Sequence, residues 1–155
     1  MYMNKTIFAF LLFIGLIATS CTSSRSTVSH NVDLSKYQYA SIINNDSYHI
    51  PAELMEYEIQ LFDAVEESGL QLVSDFRIYE LTPAQQEKLL LVKYGVSIQP
   101  EETIVTVNFL DFATGRPVVS CRGAFTTLGV AGPSTDIRGA ISRAANQIAK
   151  TFRGK

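Results

Sequence analysis

Thr103-Ile-Val-Thr-Val-Asn-Phe-Leu-Asp-Phe112 is the stretch that decides the fold, because it is apolar enough to form a central strand. Ala113-Thr-Gly-Arg-Pro117 follows as a turn and 118–125 as a second strand, so the three segments predict a β-hairpin. Asp111 stands beside the turn and is expected to cap its amides. Upstream, residues 90–98 alternate between two faces, which predicts a further strand.

Two longer helices are predicted in addition to these strands. The first covers 52–68, with Pro51 at its start and Gly69 after its end, where each of these residues is favoured. The last helix covers 135–153 and carries one apolar stripe at helical spacing. The stripe consists of Ile137, Ala140, Ile141, Ala144, Ala145, Ile148 and Phe152. Its small alanines indicate close packing on a sheet, and Ile141 and Ile148 are expected to be buried there.

Three shorter elements complete the pattern. Residues 37–43 and 70–74 are predicted as strands. Thr82-Pro-Ala-Gln85 has the spacing of a capping box that begins a short helix. The order is therefore β-α-β-(α)-β-β-β-α. This order predicts the α+β class, with a mostly antiparallel sheet of about five strands and two main helices on one face.

Cys21 follows an apolar run, 7–20, which is preceded by Lys5. A cationic start, an apolar core and small residues before a cleavage point are typical of a secretory signal peptide. A transmembrane helix requires about 20 apolar residues, which is more than this run contains. The Cys directly after the small residues resembles the signal of bacterial lipoproteins. That resemblance implies cleavage before Cys21, lipidation of its thiol and acylation of the new N-terminus. A plain secreted protein and an uncleaved anchor are the less favoured alternatives.

These features divide the chain into three parts. We expect a lipoprotein signal peptide over 1–20, a flexible tether over 21–32 and a single α+β domain over 33–155. Thr22, rather than Asp, follows the Cys, and among lipoproteins this favours the outer membrane, with the domain facing the periplasm.

Cys121 is then the single thiol left for the domain. We expect it to pack in the core, with a disulfide to a partner as the alternative.

Charge is divided unevenly along the sequence. Acidic residues exceed basic ones by ten between residues 33 and 111, and basic residues exceed acidic ones by six between 112 and 155. Such a split indicates either a partner surface or two halves that face each other inside one domain, and we favour the second. The outer faces of the first and last helices are then neighbours.

Glu58 is a carboxylate on the otherwise apolar side of the first helix, where burial without a partner is costly. The possible interaction surface comprises Glu58, Arg143, Lys150 and Arg153.

Three segments carry a resemblance to a known group of proteins. They are Leu34-Ser-Lys-Tyr-Gln-Tyr-Ala40, the hairpin turn at Asp111-Phe-Ala-Thr-Gly115, and the Gly-rich loop before the Ala-rich last helix. Together they resemble small Gram-negative lipoproteins. The domain of those proteins is similar to the N-terminal domain of the translocation protein TolB and to lipoprotein activators of penicillin-binding proteins. The resemblance covers most of the domain as a pattern of elements and implies no site residues.

Several function classes are disfavoured by what the sequence lacks. His30 and His49 have no Cys or His at ligand spacing, which argues against a metal site. Gly129-Val-Ala-Gly-Pro-Ser134 lacks the ending of a phosphate loop. The scattered basic residues make a poor footprint for nucleic acid. No catalytic constellation is present, so we expect neither an enzyme nor a cofactor.

These observations favour a lipid-anchored envelope protein that recruits, scaffolds or activates another envelope protein. Its contacts would be the membrane, through the lipid on Cys21, and a protein partner. The alternative is a periplasmic binder of a small envelope ligand, such as a glycan or lipid fragment, which would require a sizeable apolar pocket.

Overall fold

The hairpin predicted at the centre of the sequence is present and lies inside a six-stranded sheet. The computed structural model of the protein describes residues 24–43, 52–126 and 133–153. Within these ranges there are six strands, three α-helices and two short 3₁₀ helices. They are β1 (Arg25–Val28), the 3₁₀ helix Leu34–Lys36, β2 (Tyr39–Ile42), α1 (Ala52–Glu67), β3 (Gln71–Leu72), the 3₁₀ helix Asp75–Glu80, α2 (Pro83–Gln86), β4 (Leu89–Ile98), β5 (Thr103–Asp111), β6 (Pro117–Phe125) and α3 (Pro133–Arg153).

The sheet is mixed, with the strand order β1-β6-β5-β4-β2-β3. The pairs β1–β6, β6–β5 and β5–β4 are antiparallel, and in the last two pairs a short hairpin turn connects the strands. The pairs β4–β2 and β2–β3 are parallel, because a helical crossover returns the chain to the same end of the sheet. The α+β class is confirmed. The sheet has one strand more than predicted, and two of its five pairings are parallel.

The additional strand is β1, which lies in the segment 21–32 that the sequence analysis expected to be a flexible tether. Residues 25–28 pair along β6, with Arg25 opposite Arg122 and Val28 opposite Val119. The pairing covers the backbone groups of β6, which would otherwise form an open edge. Strand β1 contributes mainly backbone hydrogen bonds to the sheet. Its Ser/Thr-rich sequence therefore has no apolar period that would have indicated a strand.

The two long helices cover one face of the sheet, as predicted. Residues 103, 105, 107, 109 and 111 of β5 are buried on that face, whereas the alternate residues are half-buried. Helix α3 packs on β5 and β6, and α1 packs beside α3. The approach of α3 to β6 is very close, because a Cβ at Gly123 would lie 2.0 Å from the carbonyl oxygen of Ala140. Ile141 and Ile148 of α3 are buried in the core between this helix and the sheet, which confirms the expectation for both.

The helix limits agree with the sequence to within a few residues. The capping box of α2 is formed, since Thr82 and Gln85 each accept a hydrogen bond from the other's backbone N–H. No helix within the described ranges is long and apolar enough to cross a membrane.

Candidate functional site

A groove lies between α1 and the 3₁₀ helix Asp75–Glu80, with the ends of β2 and β3 as its floor. Its volume is about 650 Å³. Two aromatic rings stand at its sides, Phe62 on α1 and Phe76 on the 3₁₀ helix, and their exposed fractions are 40% and 79%. The full lining is Ile42, Glu58, Phe62, Glu66, Leu72, Val73, Ser74, Asp75 and Phe76. We call this surface the α1 groove.

The 3₁₀ helix holds Phe76 in its exposed position through local bonds. The carboxylate of Asp75 accepts a hydrogen bond from the Phe76 backbone N–H at 2.9 Å. The guanidinium of Arg77 pairs with Glu80 at 2.7 Å, one turn further along. Neither bond involves a residue of the hydrophobic core. The turn therefore exposes an aromatic ring to solvent, and core packing does not offset the free energy that this exposure costs. Exposed aromatic rings beside a groove are typical of an interaction site.

The α1 groove is acidic as well as apolar. Three carboxylates line it, those of Glu58, Glu66 and Asp75, and the described lining contains no basic side chain. Glu58 accepts a hydrogen bond from the hydroxyl of Tyr94 on β4. Partial burial raises the pKa of Glu58 above its usual range, because the surroundings disfavour the charged form. A basic group on a bound molecule would stabilise the charged form of this partly buried carboxylate.

The four residues of the possible interaction surface lie on two helices, with Glu58 on α1 and the three basic residues on α3. Glu58 lies in the α1 groove. Arg143 donates a hydrogen bond to the carbonyl oxygen of Ala124 at 2.6 Å, and its guanidinium lies 4.6 Å from the centre of the Phe125 ring. Lys150 is exposed on α3. A role for these four residues in partner binding stays a prediction, and Arg143 also has a packing role at the end of β6.

The expected proximity of the acidic and basic helices is confirmed. Arg153 at the end of α3 lies 3.6 Å from Glu67 at the end of α1, and both side chains are more than half exposed. An exposed pair of this kind contributes only about 0–1 kcal/mol. The charge asymmetry of the sequence is therefore partly internal to the domain.

A second polar cluster surrounds Asp111 at the β5–β6 turn. One carboxylate oxygen accepts hydrogen bonds from the backbone N–H and hydroxyl of Thr114, at 2.9 and 2.8 Å. The other accepts from the Lys36 ammonium at 3.0 Å and the Tyr37 hydroxyl at 2.9 Å. The turn-capping role is confirmed, and the link to the 3₁₀ helix Leu34–Lys36 and the residue after it is additional. Burial alone would raise the pKa of Asp111, but these bonds outweigh it and lower the pKa to about 2.

Cys121 is buried, as expected from its strand, and lies 4.0 Å from the Thr151 hydroxyl. Burial raises the pKa of its thiol to about 11. His30 is exposed, and His49 lies outside the described residues. In the ranges that the structure covers, no group of three or more His, Cys, Asp or Glu side chains is placed to hold a metal ion.

The exposed aromatic side of the α1 groove was missed by the sequence analysis. The segment 75–80 has no helical or strand period, because it forms a short 3₁₀ helix. Phe62 directly follows the buried Leu61 on α1, yet it is 40% exposed. The signal that could have found the site is an aromatic pair, Phe76 and Tyr79, within a short segment that also carries three charged residues.

No protein-family model matches the chain, and no curated protein matches it in sequence. Solved structures do match in fold. A point variant of the PelC dodecamer from Paraburkholderia phytofirmans superposes with a TM-score of 0.53 at 14% identity, over 81% of this chain and 95% of that chain. A PDZ domain protein from Parabacteroides distasonis gives 0.49 at 11% identity, over 76% and 33%. Lipoprotein GNA1162 from Neisseria meningitidis gives 0.37 at 16% identity, over 73% and 99%.

The likeness to PelC shows the fold of this chain. A lipoprotein is among the weaker structural neighbours, at a similarity that carries no argument about function. The resemblance to TolB and to activators of penicillin-binding proteins stays a prediction.

Proposed function

We propose that this chain is a lipid-anchored, non-enzymatic protein of the cell envelope that recruits, scaffolds or activates another envelope protein. The lipoprotein-like signal ending at Cys21 supports the anchor, with placement on the outer membrane facing the periplasm. The α+β domain then presents its groove to partners in the same compartment.

The observation that carries the proposal is the exposed α1 groove. Phe76 and Phe62 offer apolar surface, and aromatic residues are enriched where proteins bind one another. Glu58, Glu66 and Asp75 supply negative charge on the same surface. The partner that fits is a protein segment with an apolar side chain between the rings and a Lys or Arg beside it.

The second candidate, binding of a small envelope ligand, is supported by the volume of the same groove. About 650 Å³ lies within the range of small-molecule sites, which is roughly 300–1,000 Å³. The two candidates differ in what occupies the groove, so one experiment separates them.

The test places a photo-crosslinking amino acid at Phe76 or, as a matched control, at Tyr79 in the growing cell. The two side chains are 79% and 78% exposed on the same 3₁₀ helix, but only Phe76 lines the groove. We expect a protein crosslink from position 76 that is absent from position 79. The crosslink should weaken when Glu66→Arg reverses one of the three charges of the groove. A product at twice the monomer mass would identify the partner as a second copy, as PelC forms a dodecamer.

A crosslinked species with the mass of a glycan or lipid fragment, and no protein, would favour the small-ligand candidate. Equal protein crosslinks from both positions would contradict docking in the groove.

A further inference from the structure

The position at which β1 begins restricts how the domain stands on its membrane. The hydroxyl of Ser24 accepts a hydrogen bond from the Ala124 backbone N–H at 3.2 Å, and residues 25–28 pair with β6 in register. At the far end, the Ser29 N–H donates to the carbonyl oxygen of Val118 at 2.8 Å. The chain is therefore held to the sheet from Ser24 onward.

Only three residue steps separate Ser24 from Cys21. A polypeptide extends at most about 3.3–3.6 Å per residue, so these steps span no more than about 11 Å whatever their conformation. A lipidated Cys21 would sit at the headgroup layer. Ser24, the first residue held to the sheet, can then lie no more than about 11 Å from that layer. A flexible segment over the full 21–32 would allow a much larger separation.

The strand directions determine which end of the domain is near the anchor. Ser24 lies beside Ala124, at the end of β6 where β5 starts and β4 finishes. The connection between β4 and β5, residues 99–102, extends past this end. The opposite end carries the β5–β6 turn, and the nine residues of β5 place it about 27 Å away at 3.4 Å per residue.

The near end has a surface that fits a headgroup layer. Ile98 is 59% exposed there, and Gln99, Pro100 and Glu101 are also exposed. Arg25 is exposed on β1, opposite Arg122, which pairs with Glu102 at 3.1 Å. An exposed apolar side chain and an exposed basic residue at the same end of the sheet suit the boundary between lipid headgroups and acyl chains.

We propose that the end of the sheet formed by the β4–β5 connection lies against the headgroups of the membrane that holds the anchor. The inference rests on the proposed lipidation of Cys21. The β5–β6 turn then faces away from the membrane.

The experiment uses full-length protein purified with its lipid and reconstituted into phosphatidylethanolamine/phosphatidylglycerol vesicles. A fluorophore is attached to Gln99→Cys or to Ala113→Cys, which lie in exposed turns at opposite ends of the sheet. A sample without an added Cys measures any labelling of Cys121. The vesicles carry a nitroxide on the headgroup, which quenches only at short range. We expect the label at Gln99 to lose most of its fluorescence and the label at Ala113 to keep nearly all of it.

A control variant lengthens the connection to the anchor. About twelve Gly and Ser residues inserted between Ser23 and Ser24 add a flexible span of about 20 Å. Quenching at Gln99 should then fall to the level at Ala113. Equal quenching at both sites in the unmodified protein, with lipidation verified by intact mass, would overturn the orientation while leaving the anchor intact. An unlipidated Cys21 would overturn the anchoring proposal instead.

Discussion

Replacement of Asp111 by Asn tests how the N-terminal part of the domain is held to the central hairpin. Asp111 is 5% exposed and accepts four hydrogen bonds, from Lys36, Tyr37 and Thr114. Asn has the same shape but one acceptor oxygen and no charge. Whichever way the Asn amide is oriented, its NH₂ group replaces one of the two carboxylate oxygens and faces hydrogen-bond donors there. At least one of these donors then has no acceptor.

The magnitude follows from the pKa of this carboxyl, which is lowered from 3.8 to about 2. Since one pKa unit corresponds to about 1.4 kcal/mol, the charged form contributes roughly 2 kcal/mol to the free energy of unfolding. An unsatisfied buried donor adds about 1–3 kcal/mol. We therefore expect Asp111→Asn to cost about 3–5 kcal/mol at pH 7.

The sign of the pH dependence is fixed because the pKa is lower in the folded chain. The stabilisation is fully present above the unfolded pKa and is lost as the pH falls from about 4 towards 2. Roughly half of it should be gone at pH 3. The difference in stability between the wild-type chain and Asp111→Asn should shrink over the same range.

Urea unfolding followed by circular dichroism at pH 7, 5, 4 and 3 measures this difference. Lys36→Met is the control, because the Lys36 side chain is 48% exposed and its ion pair should contribute less than about 1 kcal/mol. A difference between wild type and Asp111→Asn that stays constant from pH 7 to pH 3 would refute the reasoning. A cost at pH 7 below that of Lys36→Met would do the same.

Three further predictions concern the core. Gly123→Ala should cost about 1–3 kcal/mol, because its Cβ would clash with the helix backbone at Ala140. Gly95→Ala is the control and should cost little, because nothing lies within 4 Å of its Cβ position. Urea unfolding of both variants measures the difference. Ile148→Ala should cost about 2–5 kcal/mol, and a change under about 0.5 kcal/mol would mean that α3 is not docked there. The Cys121 thiol, with a pKa of about 11, should resist alkylation in the folded chain and react in urea, as intact mass would report; rapid labelling without urea would contradict its burial.

Periodicity predicted the parts of the fold in which side chains are sorted between core and solvent. The alternation over 90–98 located β4, the apolar run 103–112 and the turn after it located β5 and β6, and the stripe ending in Ile148 and Phe152 located α3, each to within a few residues. Strand β1 was not predictable in this way. Its contribution is mainly backbone pairing with an edge, and four exposed residues leave no pattern in the sequence.

The candidate site was less predictable than the fold. Glu58 was recognised as anomalous because a carboxylate stood among apolar helix positions, and the structure places it in the α1 groove. The opposite wall was missed because Phe76 owes its position to the 3₁₀ helix Asp75–Glu80, whose bonds are local. A groove formed by segments distant in sequence depends on how those segments pack, and no local pattern encodes it.

The measurement that tests the central claim most directly is the intact mass of the mature protein isolated from the membrane fraction. The account predicts a chain that begins at Cys21 and carries a diacylglyceryl group on the thiol and an acyl group on the new N-terminus. Cys21→Ala should release the protein from the membrane fraction or leave the uncut precursor. A mature chain with an unmodified N-terminus away from Cys21 would contradict the anchor, and with it the proposed envelope function.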